Sequence, residues 1–222
     1  MKSIKNILSV LFLLALVSVL FIGADIPAES VMYAGFAPVF WPAGSDNMGG
    51  YKSRIAFIPE TSVSKVPLLP AKPANTEDYV TAAGAFEFIK SGDKPTAIYA
   101  TRATVGYKAE VQGETDCKSY KITGEFFHPG KKVEAAAFAR QICNTPGYLL
   151  IEDNDSQQLV GQPGYPCMVT SSFDGGKAPA DKRGWSFAFE ADSVAPVVIM
   201  GQAIDLDALF TGVPSTPDTP SE

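Results

Sequence analysis

The chain has 222 residues, of which 46% are hydrophobic and 19% are charged, so it is long enough to bury the core of one domain or of two small ones. Its formal net charge of -6 argues against a basic surface that binds duplex nucleic acid. His128 is the only histidine, which excludes a two-histidine site, and no motif identifies a reaction. We therefore predict that the chain is not an enzyme and has no catalytic, cofactor-binding or metal-binding residues.

Residues 1–30 have the pattern of a leader. Lys2 and Lys5 precede an uncharged apolar run at 7–23, and small residues follow it. A basic start, an apolar run and small residues near a polar boundary are typical of a secretory signal peptide. At 17 residues the run is slightly long for the apolar part of a signal peptide and slightly short for a membrane span. A retained signal anchor is therefore the alternative. It would be an N-terminal hydrophobic helix and the only membrane contact.

Residues 31–75 are predicted to form an extended arm with one short strand near 54–58. Aromatic residues are mixed with Pro and Gly along this segment, which excludes a regular helix. Aromatic anchors dominate the energy of many protein interfaces. We therefore take Phe36, Phe40 and Trp41 as candidate anchors between subunits.

Residues 76–210 are predicted to form one β-rich domain. A β-rich segment at 97–112, a turn at 113–116 and an alternating segment at 119–127 indicate a hairpin or meander. Gly124 within the third of these is expected to mark a bulge. The order continues with a strand directly after residue 147 and ends with further strands, among them the alternating GWSFAFEA segment and PVVIMG.

One helix interrupts these strands, at about residues 131–143. The segment consists of strong helix formers, with Val133, Phe138 and Ile142 expected to pack on a sheet, and the NTPG sequence that follows ends it. This order predicts a mainly β fold, a β-sandwich or partly closed β-barrel with one flanking α-helix. Residues 211–222 are rich in Pro, Ser and Thr and are predicted to be a disordered tail.

The helix leads directly into YLLIEDND, and LVG, the Gly-rich FDGGKAPADKRGWSFAF and the closing SVAPVVIMG follow. Over about residues 79–205 these features resemble tail-tube-type structural proteins of tailed bacteriophages. The resemblance implies a β-sandwich or barrel with one helix that assembles into stacked hexameric rings around a DNA channel. The implied partners are other copies of the chain, other virion proteins, and DNA that passes without specific binding. The implied location is the virion tail.

Acidic turns are the candidates for positions that line such a channel or lie between its rings. They contain Glu114 and Asp116 in one turn and Asp153 and Asp155 in another. A negative channel repels the DNA backbone and lets it slide. Oxygen ligands in the second turn could also hold Ca²⁺, but the loop lacks the spacing of an EF-hand, which favours a solvated turn.

The leader departs from the pattern of the phage family, whose subunits assemble in the host cytoplasm without an export signal. The alternative function is therefore an exported β-sandwich, periplasmic, on the cell surface or anchored in a membrane, that binds a ligand or partner. Cys117, Cys143 and Cys167 lie far apart in the sequence and form no CxxC pair, so a zinc site is not predicted. The spacing leaves open whether any two of them form a disulfide.

Overall fold

The computed structural model describes residues 36–45 and 47–211. It divides into two compact units, Met1–Ser45 and Asp46–Glu222. The described part of the first unit has a turn and neither helix nor strand. The predicted leader lies outside the described residues, as does the predicted tail beyond residue 211. Within the described ranges, no helix is both long and apolar enough to cross a membrane.

The second unit contains strands and two α-helices. The strands are β1 (Arg54–Pro59), β2 (Val63–Lys65), β3 (Thr81–Ala82), β4 (Glu87–Phe88), β5 (Thr96–Tyr99), β6 (Gly106–Gln112), β7 (Ser119–Pro129), β8 (Gly147–Glu152), β9 (Gln157–Val160), β10 (Met168–Asp174), β11 (Gly184–Ser193) and β12 (Ile199–Met200). The helices are α1 (Val133–Ile142) and α2 (Leu206–Phe210). Two short 3-10 turns, Glu60–Ser62 and Glu77–Tyr79, lie between strands.

Two sheets form a sandwich. A six-stranded sheet has the order β3-β12-β9-β8-β1-β5, and a four-stranded sheet has the order β10-β11-β7-β6. The β2-β4 pair forms a small third sheet. The predicted mainly β fold with a flanking helix is thus confirmed, and the described strands form no closed barrel.

The main core lies between the two large sheets. In β11 buried and exposed side chains alternate, because only one face of the four-stranded sheet is covered. Phe126 and Phe187 stack with their ring centroids 5.0 Å apart in this core. From α1, Phe138 meets Phe187 edge-on at 5.7 Å and Phe57 at 6.3 Å, so the helix packs between the sheets.

A second core covers the other face of the six-stranded sheet. Ala56, Ile58, Tyr148 and Leu150 point to this side and are fully or almost fully buried, together with Leu206 of α2. Strands β1 and β8 are therefore apolar on both faces. The short strand predicted near 54–58 is present as β1, and it is a central strand of the six-stranded sheet.

The β-rich segment at 97–112 is divided between the two sheets. It contains β5 in the six-stranded sheet and β6 in the four-stranded sheet. At the crossing the Thr101 amide donates to the Phe127 carbonyl oxygen at 2.7 Å, and Ala103 has a φ of 61°. The chain therefore changes sheet through a tight turn and does not continue as one strand.

Helix α1 lies where it was predicted, and Phe138 and Ile142 pack as expected, but Val133 does not. Val133 is 81% exposed, whereas Ala139 and Ile142 are buried. Val133 is in the first turn, before the helix reaches the core, so the prediction that it packs on a sheet is wrong. Helix α2 was not predicted, because five residues are too few for a periodic pattern. The Asp205 side chain caps the start of this helix by accepting a hydrogen bond from the Ala208 amide at 3.1 Å.

Gly124 does not mark a bulge. Strand β7 pairs with β6 and β11 in unbroken register on both sides of it. A Cβ atom at this position would lie 2.2 Å from Phe189 Cζ and 2.2 Å from the Gly106 carbonyl oxygen. Glycine is therefore required here because the Phe189 ring packs directly on the backbone of the neighbouring strand.

We expect Gly124→Ala to lower the free energy of unfolding by about 1–3 kcal/mol, the usual cost of overpacking a core. Gly49→Ala is the control, because a Cβ atom there meets nothing within 4 Å. Urea unfolding followed by fluorescence measures both. An unchanged midpoint for Gly124→Ala would show that the Phe189 ring can move aside without cost.

Candidate functional site

The four-stranded sheet ends in two long strands with free edges. Strands β6 and β10 have seven residues each. Among the described strands, β6 pairs only with β7, and β10 pairs only with β11. Within the described part of the chain, no backbone hydrogen bond reaches the outer side of either strand. Unpaired N–H and C=O groups of this kind are a template for a strand of another chain.

The two edges are suited to each other. Each pair in the order β10-β11-β7-β6 is antiparallel, so β6 and β10 run in opposite directions. A second copy placed with its β10 beside β6 would continue the antiparallel sheet. Exposed apolar side chains lie on both edges, with Val111 on β6 at 62% exposure and Met168 and Phe173 on β10 at 38% each.

The edges of the six-stranded sheet are shorter and partly occupied. Strand β5 has four residues, and the carbonyl oxygen of Tyr99 at its end lies 2.8 Å from His128 Nδ1. Strand β3 at the other edge has two residues. The longest free edges of the sandwich are therefore those of the four-stranded sheet.

The outer face of the four-stranded sheet is polar and, on balance, acidic. From β6, β7 and β11 two lysines and four carboxylates project outward: Lys108, Glu110, Lys121, Glu125, Glu190 and Asp192. Lys108 pairs with Glu110 at 2.6 Å and Lys121 with Glu190 at 3.2 Å, so two carboxylates are left over. Small side chains occupy outward positions on β10 and the first half of β11: Thr170, Ser172, Ser186 and Ala188. A shallow hollow of about 120 Å³ lies at the margin of the face beside Tyr165.

The acidic residues singled out from the sequence lie in two separate turns. Glu114 and Asp116 are exposed in the turn between β6 and β7, whereas Asp153 and Asp155 lie between β8 and β9 in the other sheet. Glu110, Glu125, Glu190 and Asp192 were missed, although the alternation of polar and apolar residues along their three strands, β6, β7 and β11, was a signal that they share one outward face.

Asp153 acts mainly as a turn cap. Its Oδ1 accepts from the Asp155 amide at 2.8 Å and from the Ser156 amide at 2.6 Å. Its Oδ2 accepts from Gln158 Nε2 at 2.8 Å. Both oxygens of Asp153 are therefore bound within the turn, and the channel-facing role of this carboxylate stays a prediction.

The candidate anchors Phe36, Phe40 and Trp41 lie in the first unit. Their side chains are 104%, 81% and 66% exposed, respectively. Exposed aromatic side chains fit the predicted role of interface anchors, which stays a prediction.

The three cysteines are the nucleophilic groups with the most distinct environments in the described part of the chain. Cys117 is exposed, Cys143 half-buried and Cys167 buried, and all three are free thiols. Burial raises the pKa of the Cys167 thiol to about 12, so it stays protonated at neutral pH. Cys143 Sγ lies 3.1 Å from Ser171 Oγ, where neither atom has a base beside it in the described structure.

An acidic groove of about 290 Å³ lies between the β8-β9 turn and α2. Its carboxylates are mostly engaged: Glu152 pairs with Lys52, Asp207 pairs with Arg54, and Asp205 caps α2. Across residues 36–45 and 47–211, no three side chains of the kinds that bind metals are grouped as a metal site. The groove is thus held together by its own charge pairs.

Comparison of the chain with known protein families, with curated proteins and with solved structures gives no match.

We expect Asp153→Ala to lower the free energy of unfolding by about 1–2 kcal/mol, since it leaves two backbone amides and the Gln158 side chain without their acceptor. Asp155→Ala is the matched control, because that side chain is exposed in the same turn and accepts no hydrogen bond from a described residue. Thermal unfolding of the two variants distinguishes a carboxylate that caps the turn from one that is only solvated. Equal melting temperatures would contradict the capping role of Asp153.

Proposed function

We propose that the chain is a non-enzymatic structural subunit that assembles edge to edge into rings, as a tail-tube-like virion component, and that stacked rings form a conduit for DNA. The observation that carries this proposal is the pair of free edges on one sheet, β6 and β10, of equal length and opposite direction. A contact between two different surfaces of the same chain closes into a ring when the rotation per subunit divides a full turn. The resemblance over about residues 79–205 favours six subunits.

Main-chain hydrogen bonds would supply the lateral contact. Seven residues on each edge can continue the ladder without a change of fold, and Val111, Met168 and Phe173 would lose water at the junction. The edge residues are already held in extended geometry by β7 and β11, so little conformational entropy is lost on pairing.

The outer face of the four-stranded sheet is suited to line the conduit. On β6, β7 and β11 both outward lysines are paired with carboxylates and two further carboxylates are unbalanced, so this part of the face offers a polyanion no free cation. A weakly acidic wall would let DNA pass without specific contact. Glu125 and Asp192 have no lysine or arginine partner among the described residues and supply this excess.

The test is electron microscopy and sedimentation of the purified full chain. We expect rings for the wild type, and for Val111→Lys/Met168→Lys a dissociation constant at least about tenfold higher, because each lysine must be desolvated at the junction. Ile89→Lys is the control, because Ile89 is 61% exposed and directly follows β4, which belongs to the separate β2-β4 sheet.

Rings that persist unchanged in the double variant would contradict the edge contact. A wild-type chain that stays monomeric at all concentrations would contradict the ring itself and favour the exported binding domain, the alternative that the leader supports.

A further inference from the structure

Six cations collect at one end of the four-stranded sheet, and we call this group the basic tip. Its members lie in the turn before β6, in the loop before α1 and in the loop before β11: Arg102, Lys131, Lys132, Lys177, Lys182 and Arg183. The loops adjoin, since the Gly130 amide donates to the Arg183 carbonyl oxygen at 3.0 Å, and Thr101 bonds to Phe127 of β7. All six side chains belong to exposed residues.

The basic tip is not neutralised by its surroundings. None of its six cations forms an ion pair with another residue in the described part of the chain, whereas Lys52, Arg54 and Lys65 elsewhere each pair with a carboxylate. Three carboxylates lie on the same loops and helix start, Asp174, Asp181 and Glu134, which leaves a net charge of +3 on a chain of net charge -6.

Two of those carboxylates are turned into their own loop. Asp174 Oδ1 accepts from the Gly176 amide at 2.9 Å. Asp181 Oδ2 accepts from the amides of Lys177 and Ala178, both at 2.7 Å, and these hydrogen bonds lower the pKa of Asp181. The two carboxylates therefore stabilise the loop through its backbone amides. Lys177, Lys182 and Arg183 of the same loop form no ion pair with a described residue and are exposed to a partner.

Aromatic rings hold two of the cations in place. Lys182 Nζ lies 3.8 Å from the centroid of the Phe127 ring, and Lys131 Nζ lies 5.9 Å from that of Phe173. Such contacts are attractive and limit the freedom of a long side chain. The positive charge is thus positioned on the sheet end before any partner arrives.

The opposite end of the same sheet is acidic. Glu114, Asp116 and Asp192 lie there, the first two exposed in the β6-β7 turn without an ion pair among the described residues. Lys118 is the one nearby cation of the turn, and its Nζ is bound to the Gly113 carbonyl oxygen. The eleven residues of β7 separate this acidic tip from the basic tip by roughly 35 Å.

We propose that the basic tip docks on the acidic tip of a second copy of this chain, head to tail along the strand direction. Translation of a second copy along the direction of β7 brings its acidic tip to the basic tip of the first copy. This direction is perpendicular to the direction in which β6 of one copy would pair with β10 of the next. The inference rests on the proposed function, in which it would join one ring to the next. Repeated around a ring, individually weak charge contacts act together.

A second copy fits better than a nucleic acid. The chain as a whole is acidic and would repel a polyanion approaching from any side except the basic tip. The complementary acidic tip, by contrast, is present on every subunit, at the opposite end of the same sheet.

The test exchanges charges between the two tips of the full chain. One variant is Lys182→Glu/Arg183→Glu and the other is Glu114→Lys/Asp116→Lys; Lys131→Glu/Lys132→Glu repeats the first without touching the Lys182 contact with Phe127. The control is Lys90→Glu/Lys94→Glu, with the same charge change on another exposed loop. Sedimentation and electron microscopy measure association at low and at high salt.

We expect each tip variant alone to lose end-to-end association by at least tenfold, and an equimolar mixture of the basic-tip and acidic-tip variants to regain it. High salt should weaken the wild type and the mixture alike, and the control should behave as the wild type. Because mixing is scored by sedimentation, it tests the tip contact whether or not rings form. Absence of rings in the wild type, by contrast, counts against the proposed function.

A mixture that sediments as the separate variants do would overturn the tip contact. Binding of a short single-stranded DNA that the basic-tip variants abolish, with end-to-end association unchanged, would overturn it as well and assign the tip to a nucleic acid.

Discussion

The six-stranded sheet is apolar on both faces, and the arrangement of the rest of the molecule follows from the need to cover both. Strands β1 and β8 are buried along nearly their whole length. The four-stranded sheet and α1 cover one face, and the segment that includes Phe86 and Phe88 covers the other together with α2. Burial on this scale is the main source of stability in a β-sandwich.

The same constraint leaves the four-stranded sheet with only one covered face. Its inward residues, such as Phe126, Phe187 and Phe189, close the main core, while its outward residues and both of its edges meet solvent. Solvent-exposed edges are a liability in a monomer and a means of association in an assembly. The proposed assembly therefore uses the part of the sandwich that the packing of the core leaves exposed.

Sequence patterns were sufficient to predict an element where one local signal, such as a period of two or a run of helix formers, dominated. The strict alternation of GWSFAFEA predicted a half-buried strand, and the helix formers after Lys132 predicted α1. The patterns did not predict features that depend on packing between residues far apart in the sequence. The double-sided burial of β1 depends on partners that are far away in the sequence, and Gly124 is explained by the Phe189 ring of a strand more than sixty residues later.

The candidate site was only partly predictable for the same reason. Acidic turns can be read from a sequence, but whether a carboxylate faces solvent, as Glu114 does, or caps its own turn, as Asp153 does, depends on backbone geometry. The free edges could not be predicted at all, since the strand order of a sheet is set by pairing and not by composition. The basic tip also emerges only when three separate loops come together.

Lateral and axial contacts would use different physics in the proposed assembly. The edges offer directional main-chain hydrogen bonds, which set register, whereas the tips offer charge complementarity, which salt can weaken. Their directions on the sheet are perpendicular, so neither blocks the other. The weakly acidic outer face remains free for the channel.

Hydrogen–deuterium exchange as a function of protein concentration tests the central claim most directly. The account predicts that amides of β6 and β10 become protected as particles assemble, whereas those of β5, at an edge of the other sheet, exchange as before. Assembly without a change of protection in β6 and β10 would contradict it.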